Sequence, residues 1–219
     1  MKSTRVRVIL AVAAAGVALT ACSPNQIGAA AVVGGERISS GELNRNVREY
    51  EEALSKAGVS YSQLQQQLQI QDGVSQLVLY QLANAKRKAQ VATGKGMTTT
   101  DGELDQVIAS QGGQEKFEQL LLQRGVAPSQ GRDFLRADVL INKLVAKYGG
   151  GTDEAAFKRG SEQASKDLQA MTITWNPRYG EFNDKPSQER SSIFVDAGRF
   201  GATGAHAAPA AAQSETPQQ

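Results

Sequence analysis

Few side chains in this sequence of 219 residues are of the types that covalent catalysis or metal binding needs. The chain has one cysteine, Cys22, and one histidine, His206, which lies in a stretch rich in alanine. Cys–His and Ser–His–Asp catalysis place a histidine beside a nucleophile, and a zinc site of the usual kind combines several Cys or His ligands. We therefore expect no catalytic residue, no metal site and no enzyme activity.

Carboxylates are the other candidates for chemistry. They form two groups, Glu49, Glu51 and Glu52 within one predicted helix and Asp101, Glu103 and Asp105 at the start of another. Acidic side chains are common on solvated helix faces, and they stabilise the positive end of a helix dipole. We assign both groups to these structural roles.

Cys22 has a different chemistry available to it. A basic start and an apolar run from Val8 to Leu19 precede it, which is the pattern of a secretory signal. The segment Leu19-Thr20-Ala21-Cys22 resembles the bacterial lipobox, in which a peptidase cuts before a cysteine that carries a thioether-linked diacylglycerol. We predict that residues 1–21 are a lipoprotein signal peptide and that Cys22 carries this covalent diacylglycerol, with no other cofactor. The alternative is an ordinary secretory cut near Cys22.

Lipidation determines the expected location. Each buried CH2 of an acyl chain contributes about 0.8 kcal/mol, so two or more long chains such as palmitate hold a protein firmly on a membrane. We expect residues 22–29 to be a short tether to the extracytoplasmic face of the cell membrane. Removal of residues 1–21 takes away Lys2, Arg5 and Arg7 and changes the formal net charge from +2 to −1. The apparent basicity therefore belongs to the signal, and we expect no nucleic-acid partner.

The mature sequence opens with the pattern of a strand, a turn and a helix start. Ala31-Val32-Val33 favours a strand, Gly34-Gly35 favours a turn, and Ser39-x-x-Glu42 is a capping box. The other strand signal is the segment from Thr172 to Trp175. We predict that the two segments pair as a small two-stranded sheet.

Residues between these strands favour helices. Apolar residues repeat at helical spacing in most of the interval, and a second capping box, Thr100-x-x-Glu103, begins a short helix. The glutamine-rich stretch from Tyr61 to Gln71 is consistent with a short helix or a mobile connection. The fold class is therefore mainly α: a multi-helix body over residues 30–176, closed by a sheet from its two ends.

Some leucines lie off the main apolar stripes of the predicted helices. A second apolar face would suit a groove for a client peptide, whereas helices buried on two sides would have the same pattern. The candidate peptide-binding residues are Leu79, Leu122, Leu135 and Leu140.

The end of the chain has weak patterning. Residues 177–219 begin with a turn-like segment and continue with Ala, Ser, Gln, Gly and Pro. We predict a largely disordered tail whose removal beyond Asn183 leaves the body stable, although Ser192 to Phe200 holds apolar residues able to dock.

The order of these segments resembles the SurA N-terminal domain family. The residues that carry the resemblance are the opening from Ala31 to Leu43, the turn from Gly96 to Thr100 before Glu103, and the long helix from Pro128 to Tyr148. The resemblance implies a helical chaperone body that binds unfolded or partly folded secreted chains. Larger members that are foldases also carry a parvulin-type prolyl isomerase domain, which we do not expect here.

The resemblance and the lipobox together indicate a membrane-anchored chaperone-like protein that acts without ATP and without isomerase activity. A structural adaptor lipoprotein that binds one specific envelope partner is the alternative.

Overall fold

The computed structural model describes residues 28–69, 71–185 and 192–195, and most of them are helical. The seven helices found among these residues are α1 (Ser40–Lys56), α2 (Tyr61–Leu68), α3 (Val74–Gly94), α4 (Asp101–Ser110), α5 (Gly113–Arg124), α6 (Gly131–Gly149) and α7 (Glu154–Ala170). The mainly α fold class is confirmed. The signal peptide, Cys22, His206 and the last 24 residues of the tail lie outside the described residues.

Both helix starts predicted from capping boxes are present, although only the one at Thr100 forms the reciprocal pair of hydrogen bonds. The Ser39 hydroxyl accepts a hydrogen bond from the Glu42 amide at 3.0 Å, where α1 starts. At the start of α4, the Thr100 hydroxyl accepts from the Glu103 amide, and the Glu103 carboxylate accepts from the Thr100 amide at 2.9 Å. Each cap satisfies backbone donors that the first helical turn leaves without partners.

The predicted pairing of the two ends is confirmed, although the sheet has three strands instead of two. Strand β1 (Ala29–Val33) pairs antiparallel with β3 (Ile173–Trp175), and Val32 lies opposite Thr174. The third strand, β2 (Glu36–Ser39), pairs with the other edge of β1. Gly34 and Gly35 both have positive φ, so the chain reverses within two residues and β2 folds back on β1 before α1 begins.

The segment after β3 is part of the body, which corrects the predicted boundary at residue 176. Strands β4 (Glu181–Phe182) and β5 (Phe194–Val195) form a second small sheet. The Phe194 ring is buried and meets Trp175 edge-on at 5.1 Å between centroids. The carboxylate of buried Asp72 accepts hydrogen bonds from the Ile193 and Phe194 amides at 2.7 and 2.8 Å.

The body contains three apolar clusters. The largest joins the three-stranded sheet to α1, α2 and α3, the second lies among α4, α5 and α6, and the third lies among α3, α6 and α7. Helices α3 and α6 contribute to more than one cluster and pack extensively against each other. They form the frame on which the smaller helices are arranged.

Candidate functional site

Two cavities flank the first half of α6, and Phe134 lines both of them. Gly131 near the start of α6 allows Leu121 and Phe117 of α5 to approach closely, because a Cβ at residue 131 would lie 2.4 Å from Leu121 Cδ1. Beyond this contact, residues of α5 and α6 line a cavity together. The buried ring of Phe134 thus forms a wall shared by a pocket on one side and a cleft on the other.

The smaller cavity, the α3–α6 pocket, has a volume of about 220 Å³. Its apolar lining comes from α3, α6 and the segment between α5 and α6: Val78, Leu82, Ala85, Ala89, Val126, Ala127 and Phe134. Buried Asn46 of α1 also lines it; its Nδ2 donates to the Glu42 carbonyl at 2.9 Å, while its Oδ1 is buried without a partner among the described residues. An unpaired buried acceptor costs about 1–3 kcal/mol, so this wall is less stable than an apolar one would be.

Ion pairs lie at the lining of the α3–α6 pocket. Lys86 Nζ contacts Glu36 Oε1 at 2.7 Å, and Arg136 Nη1 contacts Asp133 Oδ1 at 2.7 Å. The hydrogen bond from Lys86 lowers the pKa of Glu36; burial opposes this effect, and the hydrogen bond from Gln90 adds to the lowering. All four of these charged side chains are paired with one another. The pocket therefore presents apolar surface with a polar rim, and none of the four is available as an unpaired charge for a ligand.

The larger cavity, the α5–α6 cleft, has a volume of about 510 Å³. Its apolar lining is Val107, Phe117, Leu120, Leu121, Phe134, Leu135, Val139 and Ala146. Leu120, Val139 and Val107 are half-buried, so they present apolar surface to the opening. Contiguous apolar surface with a polar rim is the usual character of a site for another polypeptide.

Cations surround the ring of Phe134. Lys88 Nζ and Arg124 Cζ lie 5.8 and 5.7 Å from its centroid, and both side chains form ion pairs with Asp138 at 2.7 and 3.3 Å. The cation–π contacts and the shared carboxylate hold these three polar side chains at the rim of the cleft. They fix the ring between the two cavities.

The four leucines proposed from the sequence do not form an exposed face. Leu79, Leu135 and Leu140 are buried, and Leu122 is half-buried against the largest apolar cluster. Helices buried on two sides, the alternative interpretation of the pattern, account for the first three. Leu135 does line the α5–α6 cleft, and contact of any of the four with a client stays a prediction.

Leu122 has a structural role through its backbone. Its carbonyl accepts a hydrogen bond of 2.7 Å from the hydroxyl of fully buried Tyr50, which connects α1 to α5. Burial raises the pKa of Tyr50, so this hydroxyl remains a donor across the physiological range.

Sequence reasoning missed the half-buried residues that open the cleft. Leu120, Leu121 and Leu122 are consecutive, so they cover an arc of α5 wider than one neighbouring helix can bury. This width indicates apolar surface beyond what the core needs. The sequence-based prediction named Leu122 as a candidate for peptide binding, whereas in the structure it is Leu120 that lines the cleft. Phe134 lines both cavities, and no local sequence pattern distinguishes a cavity wall from an ordinary core residue.

Metal-binding clusters and membrane-spanning helices are two further features that the described residues could have contained. Among residues 28–69, 71–185 and 192–195, no cluster of three or more His, Cys, Asp or Glu side chains could hold a metal ion. No helix within the same described residues is both long enough and apolar enough to cross a bilayer.

Comparison with known proteins identifies the family. The sequence matches the family model described as the SurA-like N-terminal domain from residue 1 to residue 145 of 219, which extends from the N-terminus into α6. Searches of curated proteins and of solved structures returned no significant match. The chain therefore belongs to the family of SurA-like N-terminal domains and is a chaperone-like module.

Proposed function

We propose that this protein is a lipid-anchored chaperone on the extracytoplasmic face of the cell membrane, where it binds unfolded or partly folded secreted chains. Binding would require neither ATP nor a metal, and the protein would have no prolyl isomerase activity. Membership of the SurA-like N-terminal domain family is the observation that carries the proposal. The two cavities around Phe134 support it because they offer apolar surface for client side chains.

The size of the cavities sets the expected strength of binding. Burial of one large apolar side chain contributes about 1.5–3 kcal/mol, and two cavities accept a small number of such side chains. Ordering a flexible client opposes much of this gain. We therefore expect weak and reversible binding, which allows a client to leave and fold without an energy source.

Membrane attachment is the second part of the proposal. A diacylglycerol on Cys22 would retain the protein where secreted chains emerge, and the six residues that precede Gly28, counted from Cys22, span at most about 20 Å. Clients would then meet the protein at the membrane surface. Replacement of Cys22 by Ser should release the protein from membranes, and unchanged retention would contradict the anchor.

An adaptor that binds one specific partner is the second candidate. The α3–α6 pocket favours it, because the fixed ion pairs Lys86–Glu36 and Arg136–Asp133 impose a defined pattern of charge on whatever binds there. Such patterns contribute more to specificity than to affinity.

Aggregation assays separate the two candidates. The mature chain, residues 22–219, should suppress aggregation of several unrelated unfolded proteins if it is a general chaperone. Activity on none of them, together with recovery of a single crosslinked partner, would favour the adaptor. A model prolyl peptide should isomerise at its uncatalysed rate, and clear acceleration would contradict the absence of isomerase activity.

Variants test the location of client binding. Leu120→Gln places a polar amide in the α5–α6 cleft, at a residue that belongs to none of the apolar clusters, so it should weaken suppression of aggregation severalfold with little loss of stability. The control is Leu168→Gln on α7, which is half-buried against the third apolar cluster and lies outside both cavities; it should lower stability but leave suppression of aggregation by the folded protein unchanged.

Photocrosslinking gives a direct readout. A benzoylphenylalanine at residue 120 should crosslink to an unfolded client, whereas the same group at Phe157, whose side chain is 65% exposed on α7, should not. Equal crosslinking at both positions would indicate nonspecific apolar contact and would contradict a client site in the cleft.

A further inference from the structure

The point at which the N-terminal segment joins the body is defined by hydrogen bonds. The Ser40 amide at the start of α1 donates to the Gly28 carbonyl at 2.9 Å, and Asn176 Nδ2 donates to the Ala29 carbonyl at 2.7 Å. The segment that leads back to Cys22 therefore leaves the body between the start of α1 and the end of β3. We call this part of the sheet the tether corner.

A depression of about 280 Å³ opens on the sheet at the tether corner. Ala29, Val32, Trp175 and Pro177 line it with apolar surface, and Thr174 adds a hydroxyl. Val32 lies directly opposite Thr174 in the sheet, so the two side chains share one face, the one opposite to the core.

Two arginines lie beside this depression. Arg37 is opposite Val32 in the register of β1 and β2, which places it on the same face of the sheet. Its Nη2 atom lies 3.1 Å from the position that a Cβ on Gly28 would occupy, so the guanidinium reaches the tether corner. Arg178 follows Pro177 of the depression and is exposed.

Neither guanidinium is neutralised by the part of the chain that the structure describes. No hydrogen bond or ion pair of the Arg37 or Arg178 side chain occurs among the described residues. The carboxylates of Glu36 and Glu42 are oriented towards Lys86, at 2.7 and 4.0 Å. Within the described residues, the tether corner thus has two unpaired positive charges, Arg37 beside Gly28 and Arg178 next to Pro177 of the depression.

We propose that the tether corner binds the headgroup of an anionic phospholipid through Arg37 and Arg178. The inference rests on the proposed anchor, because a tether of six residues keeps this corner within about 20 Å of the membrane. Guanidinium groups bind phosphate in a bidentate manner, and basic residues at an anionic surface contribute about 1 kcal/mol each. The glycerol portion of the lipid would lie on the apolar depression. Together with the anchor, this contact gives the body a fixed orientation on the membrane.

Vesicle binding tests the proposal independently of lipidation. The mature chain, residues 22–219 with Cys22→Ser, is sedimented with phosphatidylcholine vesicles and with vesicles that also contain phosphatidylglycerol. We expect binding only to the anionic vesicles, with a steep decrease at high salt. Arg37→Gln with Arg178→Gln should weaken it about 25-fold, or about fivefold for each arginine.

The control variant removes two positive charges from a different part of the surface. Lys116→Gln with Lys158→Gln alters two exposed lysines on α5 and α7 and should leave vesicle binding within about twofold of the parent, because their charges lie outside the tether corner. An equal loss in both double variants would show general electrostatic attraction and would overturn the proposal. Equal binding to both kinds of vesicle would overturn it as well.

Inorganic phosphate distinguishes a lipid site from a site for a soluble anion. If phosphate in solution binds the chain as tightly as the anionic vesicles do, the assignment to phospholipid is wrong. A different measurement tests the proposed lipid anchor: if mass spectrometry of the wild-type protein finds no lipid on Cys22, the anchor proposal is wrong. Failure of client binding would appear only in the aggregation assays.

Discussion

Single polar side chains connect distant parts of this protein at a few positions. Asp72 holds the segment that contains Phe194, more than a hundred residues further along the chain, and Tyr50 joins α1 to the backbone of α5. Glu103 combines a helix cap with an ion pair to Lys143 of α6 at 2.7 Å. Each of these groups contributes to stability through hydrogen bonds that involve a charged or a buried atom. Such bonds are stronger than bonds between neutral, exposed groups.

Asp72 provides a test of the connection to the C-terminal segment. Asp72→Asn keeps one acceptor oxygen but turns an NH2 group towards a backbone N–H, so one of the two bonds at 2.7 and 2.8 Å is lost. We expect the free energy of unfolding to decrease by about 1–3 kcal/mol, measured by urea denaturation. Asp184→Asn, at an exposed aspartate, should have no measurable effect. Equal stability of the two variants would show that Asp72 does not hold the segment.

The lowered pKa of Glu103 predicts how the stability of the protein changes at acidic pH. The hydrogen bond from Lys143, followed by the bonds from the Thr100 amide and the Thr99 hydroxyl, lowers the pKa of Glu103 from its ordinary value of 4.5 to about 2. The contribution of this carboxylate is complete above pH 4.5, where it is ionised in both the folded and the unfolded chain. As the pH falls from 4.5 towards 2, the unfolded chain binds the proton first and the contribution is lost.

Thermal denaturation as a function of pH measures this dependence. The melting temperature of Glu103→Gln should be lower than that of the parent at neutral pH, and the difference should shrink below pH 4.5 as the parent loses its advantage. Glu162→Gln, an exposed carboxylate in the middle of α7, is the control and should have the same melting temperature as the parent at each pH. A constant difference for Glu103→Gln at all pH values would contradict the lowered pKa.

At the scale of elements, helices α6 and α7 approach each other closely. A Cβ on Gly160 would lie 2.1 Å from the Val145 carbonyl oxygen and 3.0 Å from the Gly149 nitrogen. Buried Ala156 and Ala164 continue this contact along α7. Small residues here permit the tight packing that stabilises the third apolar cluster and holds the end of α7 in place for β3.

Gly160→Ala should therefore destabilise the protein although alanine favours helices. A clash with backbone atoms cannot be relieved by a side-chain rotation, so we expect a loss of about 1–3 kcal/mol in the free energy of unfolding. The matched control is Gly94→Ala near the end of α3, where an added Cβ meets nothing within 4 Å. That change should be neutral or stabilise by up to about 1 kcal/mol. Equal effects of the two changes would contradict the close packing.

At the scale of the whole molecule, the chain closes on itself twice. The first closure is the pairing of β1 with β3, and the second is the docking of Ser192–Val195 on the body next to Trp175. Both closures lie on the side of the body that holds the sheet, whereas the two cavities lie along α6. A membrane contact at the tether corner would thus use elements other than those that line the α5–α6 cleft.

Truncations test the second closure. A chain that ends at Lys185 lacks Phe194 and leaves Asp72 without its partners, so it should lose about 3–5 kcal/mol of stability, the cost of deleting a buried phenylalanine. A chain that ends at Val195 keeps these contacts and should unfold at the same denaturant concentration as the mature protein. Equal stabilities of the two truncated chains would show that the segment does not stabilise the body.

Local patterns were sufficient for much of this fold. The helix starts at Ser39 and Thr100, the Gly34–Gly35 turn and the strand signals of residues 31–33 and 172–175 all depend on neighbouring residues, and a helix, a turn or a strand is present at each of these places. The pairing of β1 with β3 followed because a short strand needs a partner and the sequence offered one. The same local patterns carried the family resemblance, which the match over residues 1–145 confirms.

Tertiary structure decided what depends on the relative positions of elements. Strand β2 forms because β1 has a second edge with which it can pair. Phe194 is buried because the backbone amides of Ile193 and Phe194 donate hydrogen bonds to the Asp72 carboxylate. The cavities depend on how α3, α5 and α6 pack together, with Gly131 against Leu121 and with Asp138 paired to Lys88 and Arg124. The sequence by itself determined which residues are apolar, but only the packed helices determined that Leu79 and Leu140 are core and that Leu120 faces a cleft.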